Sequence, residues 1–165
     1  MSYEGSYVFN VRQKLGHETL ITATVDIVAT RGNEVCLVFN KDFNAWTIPG
    51  GHVELGDSWQ SAAKTEAMEE AGIIVETFDL EPFATVSGAG CQYSYANGDE
   101  VCPFTVVFAC DKFTEEDFTD VEEISEKRWV GLDELEGINI VGRTMIVLEA
   151  YKKYRESKIF QQVVL

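Results

Sequence analysis

Residues 50 to 73, GGHVELGDSWQSAAKTEAMEEAGI, constrain this chain more than any other stretch of its sequence. A Gly-Gly pair leads into a short extended piece and then into a predicted helix that carries Glu66, Glu69 and Glu70. Residues three and four apart share a helical face, and no helix position at that distance from these glutamates is basic. Such a cluster is often only a solvated acidic face. The glycines ahead of it favour a site for Mg²⁺ or Mn²⁺, ions that prefer hard carboxylate oxygens.

The spacing of this stretch resembles the Nudix box, G-x5-E-x7-R-E-U-x-E-E-x-G-U, in which U is a bulky aliphatic residue. The preceding WTIPG, residues 46 to 50, also looks like that family's approach to the box. The likeness is specific over residues 46 to 73 and looser over residues 20 to 155. The positions that match the box are Gly51, Glu66, Glu69, Glu70, Gly72 and Ile73.

Two positions of the box depart from the family pattern. Asp57 stands where the family has its first Glu, and Thr65 stands where it has Arg. In the family those two side chains pair with each other, so this chain lacks the pair. Asp57 is instead predicted to cap the box helix, because Asp followed three residues later by Gln60 fits a capping box. Ser58 is the alternative cap.

The resemblance implies an α/β fold, an α/β/α sandwich with a mixed β-sheet, which we expect to span residues 1 to 165 as a single domain. It implies a Mg²⁺-dependent hydrolase of acid anhydrides. Such an enzyme cleaves a nucleoside diphosphate linked to another moiety, X, and its substrate is a nucleotide or a sugar nucleotide. The alternative is a binding module of the same fold that senses a nucleotide with weak or no hydrolysis, because the Arg–Glu pair is missing.

The resemblance also implies the roles of individual residues. Glu66, Glu69 and Glu70 resemble metal ligands, with the backbone carbonyl of Gly50 as a further ligand. Many members complete the site with a carboxylate from a later loop, and Glu123 is predicted for this role. We therefore expect the catalytic residues to be the three box glutamates and Glu123. Two other carboxylates remain alternatives to Glu123, namely Glu100 and Glu122.

Four further residues are candidates for substrate binding. Tyr93 and Tyr95 fall on one face of a predicted hairpin arm, and aromatic faces stack on nucleobases. The alternative is an ordinary half-buried strand. Lys41 and Arg128 are candidates for phosphate contacts.

The remaining sequence predicts a set of strands and one long helix. Residues 1 to 19 leave three roles open: an edge strand, a flap, or a contact that would make the chain a homodimer. Residues 113 to 125 are expected to form an acidic loop over the site. The other predicted elements are strands at 20–30, 34–40, 73–86 (broken near 79–82) and 127–131, a hairpin turning at Asn97-Gly98, a helical turn at 132–135, a helix at 143–154, and a strand or tail at 161–165.

Composition excludes several classes of function. The net charge is −15, and the 13 Lys and Arg residues form no basic stripe, so binding to a nucleic-acid polymer is not expected. The sequence shows no signal peptide and no apolar stretch of membrane-spanning length, which predicts a cytoplasmic protein without membrane attachment. The four cysteines lack C-x-x-C spacing and are expected to be reduced thiols.

Overall fold

The computed structural model describes residues 4 to 95 and 97 to 165. The helices are α1 (Tyr7–Leu15), α2 (Trp59–Ala71) and α3 (Gly142–Ser157). The strands are β1 (Leu20–Arg31), β2 (Glu34–Asn40), β3 (Ala45–Thr47), β4 (Gly50–His52), β5 (Ile73–Ile74), β6 (Glu81–Ser87), β7 (Tyr93–Ser94), β8 (Glu100–Cys110), β9 (Thr114–Glu115), β10 (Ile124–Gly131) and β11 (Gln161–Val164). Short 3₁₀ turns lie at Thr77–Asp79 and Ala89–Cys91.

Nine strands of the described part of the chain join one mixed sheet. Its central order is β10-β2-β1-β8-β6-β11, and β3, β4 and β7 pair with β2, β1 and β8. The pairs β1/β8 and β6/β11 are parallel, and the other pairs in this sheet are antiparallel. The mixed sheet is therefore confirmed. β5 and β9 form a separate two-stranded ladder.

The alternation of apolar residues along the central strands creates two cores. On β1, Ile27 packs on one face of the sheet and Val28 on the other, because successive strand residues point to opposite faces. α2 covers the first face with small residues such as Ala63 and Ala67, both fully buried. α3 covers the second face with larger residues, including Leu148. The α/β/α sandwich is confirmed.

The ends of α2 are set by local side-chain and backbone chemistry. The cap is Ser58: its hydroxyl accepts from Ser61 N–H, and the Ser61 hydroxyl accepts from Ser58 N–H. The prediction of Asp57 as the cap is therefore wrong by one residue, because Ser61 closes the capping box. Gly72 ends the helix at φ 62°, and a Cβ there would lie 2.0 Å from the carbonyl oxygen of Glu116.

The predicted hairpins and the long helix are present. β1 and β2 pair as expected, with Arg31 opposite Glu34, and Asn97-Gly98 lies between β7 and β8. α3 and β11 occupy the predicted regions. Three regions differ. The break in 73–86 comes earlier, between β5 and β6, the acidic loop contains β9, and residues 132–135 form turns and no helix.

Residues 7 to 15 form a helix, which excludes the edge strand, one of the three roles left open for residues 1 to 19. The hydroxyl of Ser6 caps α1 by accepting from Phe9 N–H, and α1 buries Val8 and Arg12. The four cysteines are free thiols. None of the helices in the described ranges has the length and apolarity that crossing a membrane requires.

Candidate active site

The Gly-Gly pair of β4 lies directly against two carboxylates of α2. Gly50 N–H donates to Glu70 Oε2 at 2.8 Å, and Glu70 is only 2% exposed. A Cβ on Gly51 would lie 2.5 Å from Glu66 Oε1. A Cβ on Gly50 would lie 2.4 Å from the Val25 carbonyl oxygen of β1. Close approach therefore requires glycine at position 50, and a side chain at position 51 would displace the Glu66 carboxylate.

The acidic loop is tied to the same helix by backbone hydrogen bonds. The carbonyl of Glu69 accepts from Thr119 N–H at 2.9 Å and from Asp120 N–H at 2.8 Å. Asn40 Nδ2 donates to Glu123 Oε1 at 2.7 Å, which orients that carboxylate from the neighbouring strand β2. The loop thus brings Glu123 to the cavity lined by the box glutamates.

This cavity has a volume of about 610 Å³ and lies where β4, α2 and the acidic loop meet the β7–β8 hairpin. Carboxylates gather at one of its ends, which we call the carboxylate end. Its residues are Asp42, Glu66, Glu70, Asp120 and Glu123.

The carboxylates of this end perturb one another. Burial raises the pKa of Glu66 to about 8, and the charges of Glu69 and Glu123 add to the shift. Burial also raises the pKa of Glu70 well above its usual range, with Glu123 and Glu66 adding to the effect and the Gly50 N–H opposing it. Glu123 keeps access to solvent, yet its pKa is raised by desolvation, against the hydrogen bond from Asn40. The carboxylate end is therefore a site of unfavourable like charge.

The donor chemistry of this end suits a hard divalent cation, which would relieve the repulsion among Glu66, Glu70 and Glu123. Within the described ranges, however, no group of three or more His, Cys, Asp or Glu side chains is placed to hold a metal ion. The metal, and the Gly50 carbonyl as its ligand, therefore remain predictions.

Several predicted residues lie outside the cavity lining. The Glu69 side chain is not part of it, although the Glu69 carbonyl anchors the loop. Lys41 Nζ donates to the carbonyls of Val121 and Glu122 at 2.6 and 3.2 Å, so its charge stabilises the acidic loop. Arg128 lies over the Trp46 ring at 5.9 Å. The other residues outside the lining are Glu100 and Glu122.

Both predicted tyrosines line the cavity and form an aromatic wall with Phe43. The hydroxyls of Tyr93 and Tyr95 are 2.9 Å apart, and their rings meet edge to face at 5.1 Å. The ring of Phe43 lies 5.7 Å from that of Tyr93, also edge to face. Sequence analysis did not identify Phe43, because the loop that carries it shows no periodic pattern.

Two arginines in the cavity were also missed. Arg143, in the first turn of α3, places Nη1 2.8 Å from Asp26 Oδ2, and its Nη2 donates to Thr105 Oγ1 at 2.6 Å. Burial raises the pKa of Asp26, and Arg143 opposes this shift. A signal was present in the sequence, since Asp26 is the one charged residue in the apolar run LITATVDIVAT.

α1 covers another side of the cavity. Ser6, Val8 and Arg12 contribute to its lining, and Tyr7 N–H donates to Glu54 Oε2 at 2.8 Å across the opening. A flap, one of the three roles left open for residues 1 to 19, is compatible with this placement. His52 on β4 also lines the cavity, and burial, with a smaller contribution from Arg12, lowers its pKa to about 4. The imidazole is therefore neutral at neutral pH.

Arg12 itself is a buried cation that holds α1 to the β7–β8 hairpin. Its side chain is 4% exposed, and its Nε lies 3.7 Å from Asp99 Oδ1. The guanidinium also donates to the carbonyls of Gly16, Glu18 and Glu100. Both cavity arginines therefore face an aspartate.

A family model described as the NUDIX domain matches residues 20 to 148, which is most of the chain. The chain belongs to the Nudix family. The fold agrees with this assignment, since solved structures of this family superpose on it. A MutT NUDIX hydrolase from Burkholderia pseudomallei matches with a TM-score of 0.64 and 22% identity, over 79% of this chain and 98% of that one.

Two other relatives were compared with this Nudix chain. An ADP-ribose pyrophosphatase from Streptococcus suis 89-1591 matches with a TM-score of 0.62 and 17% identity, over 87% of this chain and 98% of that one. At such identities the likeness concerns the fold. A Bacillus subtilis (strain 168) protein named "Putative 8-oxo-dGTP diphosphatase" is 41% identical over 46 residues, 28% of this chain. That alignment spans only 31% of the curated relative's length.

Proposed function

We propose that this Nudix chain is a pyrophosphohydrolase that uses a divalent cation to cleave the diphosphate of a nucleoside diphosphate linked to another moiety. The products would be a nucleoside monophosphate and a phosphorylated X. The observation that carries the proposal is the meeting of Glu66, Glu70 and Glu123 at one end of a cavity of about 610 Å³. A diphosphate is itself anionic, so it can approach this end only if a cation balances both sets of charges.

The residues of the carboxylate end would have different roles. Glu66 and Glu70 would hold the cation, and the Gly50 N–H fixes the orientation of Glu70. A bound Mg²⁺ would neutralise phosphate charge and lower the pKa of a water molecule. Glu123, oriented by Asn40 and reachable from solvent, would accept a proton from the attacking water as its oxygen bonds to phosphorus and the P–O–P linkage breaks. Desolvation raises its pKa, which makes this carboxylate a stronger base than an ordinary glutamate.

The relatives support a nucleotide as the substrate class. One is named for ADP-ribose and another for 8-oxo-dGTP, so both carry the names of phosphate anhydrides of nucleosides. The aromatic wall of Phe43, Tyr93 and Tyr95 offers this chain a surface for a planar ring beside the carboxylate end. A nucleotide or sugar nucleotide is therefore the substrate we propose.

A second function, nucleotide binding without efficient turnover, is favoured by one observation. Thr65 lines the cavity next to Glu66, where the family has an arginine. Asp57 is engaged with its own loop, since Ser61 Oγ donates to Asp57 Oδ1 and Glu54 N–H donates to Asp57 Oδ2. Neither residue can supply the support that the family's Arg–Glu pair provides.

Turnover separates the two functions. We would measure release of nucleoside monophosphate, together with pyrophosphate or phosphorylated X, across a panel of nucleoside triphosphates, dinucleotides and sugar nucleotides with Mg²⁺. The proposed enzyme turns over at least one class, and Glu70→Gln abolishes that turnover while the exposed control Glu136→Gln retains it. Binding of a nucleotide without Mg²⁺-dependent cleavage of any substrate in the panel would establish the binding module instead.

A further inference from the structure

A second part of the cavity, which we call the arginine end, is lined by Arg143 and Asp26, and Arg143 donates to Thr105. Of the described residues that line the cavity, two are cationic, Arg12 and Arg143, and each faces an aspartate. Asp26 lies 2.8 Å from Arg143, so the two charges already balance each other. A phosphate would have to compete with that carboxylate. This end therefore suits a neutral, hydrogen-bonding part of a ligand.

The guanidinium of Arg143 retains unused donors. It has five N–H bonds, of which one on Nη1 faces Asp26 and one on Nη2 is donated to Thr105. Its Nε is buried and has no hydrogen-bond partner among the described residues. The Cys91 thiol also lies against the guanidinium, but sulfur is only a weak acceptor. Two Nη hydrogens therefore remain, on a side chain that is 23% exposed and lines the cavity.

Acceptors at this end are few, and Asp26 Oδ1 lies against the backbone of Gly50. Asp26 Oδ2 faces the guanidinium and has almost no accessible surface, and Asp26 as a whole is 8% exposed. The hydroxyls of Thr24 and Thr105 lie 2.6 Å apart and engage each other. What this end offers a ligand is therefore mainly donors, held at a fixed angle by Asp26 and Thr105.

Aromatic side chains line the cavity together with these donors. Burial raises the pKa of Tyr93, a member of the aromatic wall, and the charges of Arg143, Asp26 and Glu123 also act on it. A ring stacked on this wall would present its edge to the guanidinium. Arginine is well suited to pair with two adjacent acceptors, such as O6 and N7 of a 6-keto purine.

We propose that Arg143, positioned by Asp26 and Thr105, recognises the keto edge of a purine base and makes this cavity selective for 6-keto over 6-amino purines. The inference rests on the proposed function in one respect, that the ligand is a nucleotide. A 6-amino purine has one acceptor and one donor at the same edge, so its amino group would face the Nη hydrogens without an acceptor.

The test compares inosine 5′-monophosphate with adenosine 5′-monophosphate, which differ at the purine 6-position and its associated N1 proton. Calorimetric titrations would be run on the full chain in a chelator, so that the result does not depend on a metal ion. We expect the wild type to bind the inosine nucleotide at least about fivefold more tightly, the lower bound for loss of a good bidentate arginine contact. Arg143→Lys keeps the charge beside Asp26 but loses the planar guanidinium. It should reduce the ratio of the affinities for the two nucleotides to near one.

Arg155→Met is the matched control, because Arg155 lies near the other end of α3 and contacts Asn33 outside this cavity. It should leave the ratio unchanged. A purely structural Arg143 would weaken both nucleotides equally in Arg143→Lys, and that result overturns the proposal. Equal affinity of the wild type for the two nucleotides, or no binding of either at millimolar concentration, overturns it as well.

The outcomes also separate this inference from the proposed hydrolase. Mg²⁺-dependent turnover without keto selectivity leaves the hydrolase in place and removes the role of Arg143. Keto selectivity without turnover removes the hydrolase and leaves the base site.

Discussion

The two ends of the cavity differ in whether their charged side chains face charges of opposite or of like sign. At the arginine end Arg143 faces Asp26, and elsewhere in the lining Arg12 faces Asp99, so each arginine has a partner of opposite sign. At the carboxylate end, Glu66 and Glu70 lie together on one helix, and burial together with neighbouring carboxylates raises the pKa of both. The charges of the arginine end are balanced within the chain, whereas the carboxylate end has an excess of negative charge.

This difference indicates which end stabilises the fold and which end serves function. A buried pair stabilises the fold only while both partners are present, so removing one arginine should cost stability. A cluster of like charges destabilises the fold, so neutralising one member should cost function and leave stability intact or improved. The following predictions test this contrast.

The largest effect is expected for Glu70→Gln. The amide keeps the shape and can still accept from Gly50 N–H, but it removes the charge that would hold a cation. Turnover should fall at least about 100-fold, a loss typical of removing one electrostatic contribution to a transition state. In a chelator the variant should be as stable as the wild type or more stable, because one repulsive charge is gone. Steady-state kinetics and urea unfolding measure the two quantities.

Glu136→Gln, on the exposed surface, is the control for that pair of measurements. Glu136→Gln should change neither turnover nor stability. An unchanged rate in Glu70→Gln would move the chemistry away from this helix, and a large loss of stability in the chelator would show that Glu70 has a structural partner.

The opposite result, a loss of stability, is expected for Arg12→Met. The change removes a 4% exposed guanidinium that faces Asp99 and donates to three backbone carbonyls. We expect the free energy of unfolding to fall by about 3 kcal/mol, because three carbonyls lose a donor and the buried Asp99 carboxylate loses the guanidinium that it faces. Arg155→Met, at an exposed site, should stay within about 0.5 kcal/mol of the wild type. Urea unfolding at neutral pH distinguishes them, and equal stabilities would mean that α1 contributes little to the fold.

A smaller effect should appear in the pH dependence of the metal-free protein. The pKa of Glu66 is raised to about 8 in the folded state, so folding is favoured while this group is protonated. That stability is fully present below the usual glutamate pKa of 4.5 and is lost as the pH rises to about 8. We expect the midpoint of thermal unfolding in a chelator to fall on the order of 5 °C between pH 5 and pH 8.5.

Millimolar Mg²⁺ should remove most of that fall, and Glu66→Gln should make it smaller without any metal. A midpoint that rises with pH in the chelator would contradict the like-charge account of this end.

The smallest effect concerns the two departures from the family pattern. Thr65 lines the cavity next to Glu66, so an arginine at position 65 would bring a positive charge to the carboxylates that would hold the cation. Thr65→Arg alone should therefore weaken Mg²⁺ binding. Adding Asp57→Glu supplies a longer partner away from these carboxylates and should recover the loss, with a coupling of about 0.5–3 kcal/mol in a double-mutant cycle. Additive effects would mean that positions 57 and 65 do not communicate in this chain.

The sequence predicted the elements better than their interactions. Period-two alternation in β1 and the spacing of the glutamates in α2 are local properties, so the sandwich and the box helix followed from them. Arg143 and Asp26 are 117 positions apart in the chain, and no local pattern joins them. The cap was misplaced for a related reason. Ser58 and Asp57 are both good caps, and the choice depended on the hydroxyl of Ser61.

The same lack of long-range information applies to Lys41, which was predicted to contact phosphate. Lys41 was chosen for its charge, but its ammonium reaches the carbonyls of the acidic loop, a contact that depends on the β2–β10 pairing. Glu123 was identified because the loop lies just before β10. The sequence could give the position of that loop but not the bond from Asn40 that orients the side chain.

The central claim is that the carboxylate end holds a divalent cation, and differential scanning calorimetry with Mg²⁺ tests it most directly. A ligand that binds only the folded state stabilises it in proportion to the logarithm of its concentration above the dissociation constant. The account predicts that millimolar Mg²⁺ raises the unfolding midpoint of the wild type and of Glu136→Gln, and that the rise is lost in Glu66→Gln and Glu70→Gln. A midpoint that Mg²⁺ leaves unchanged in the wild type, or an equal rise in all four proteins, would contradict it.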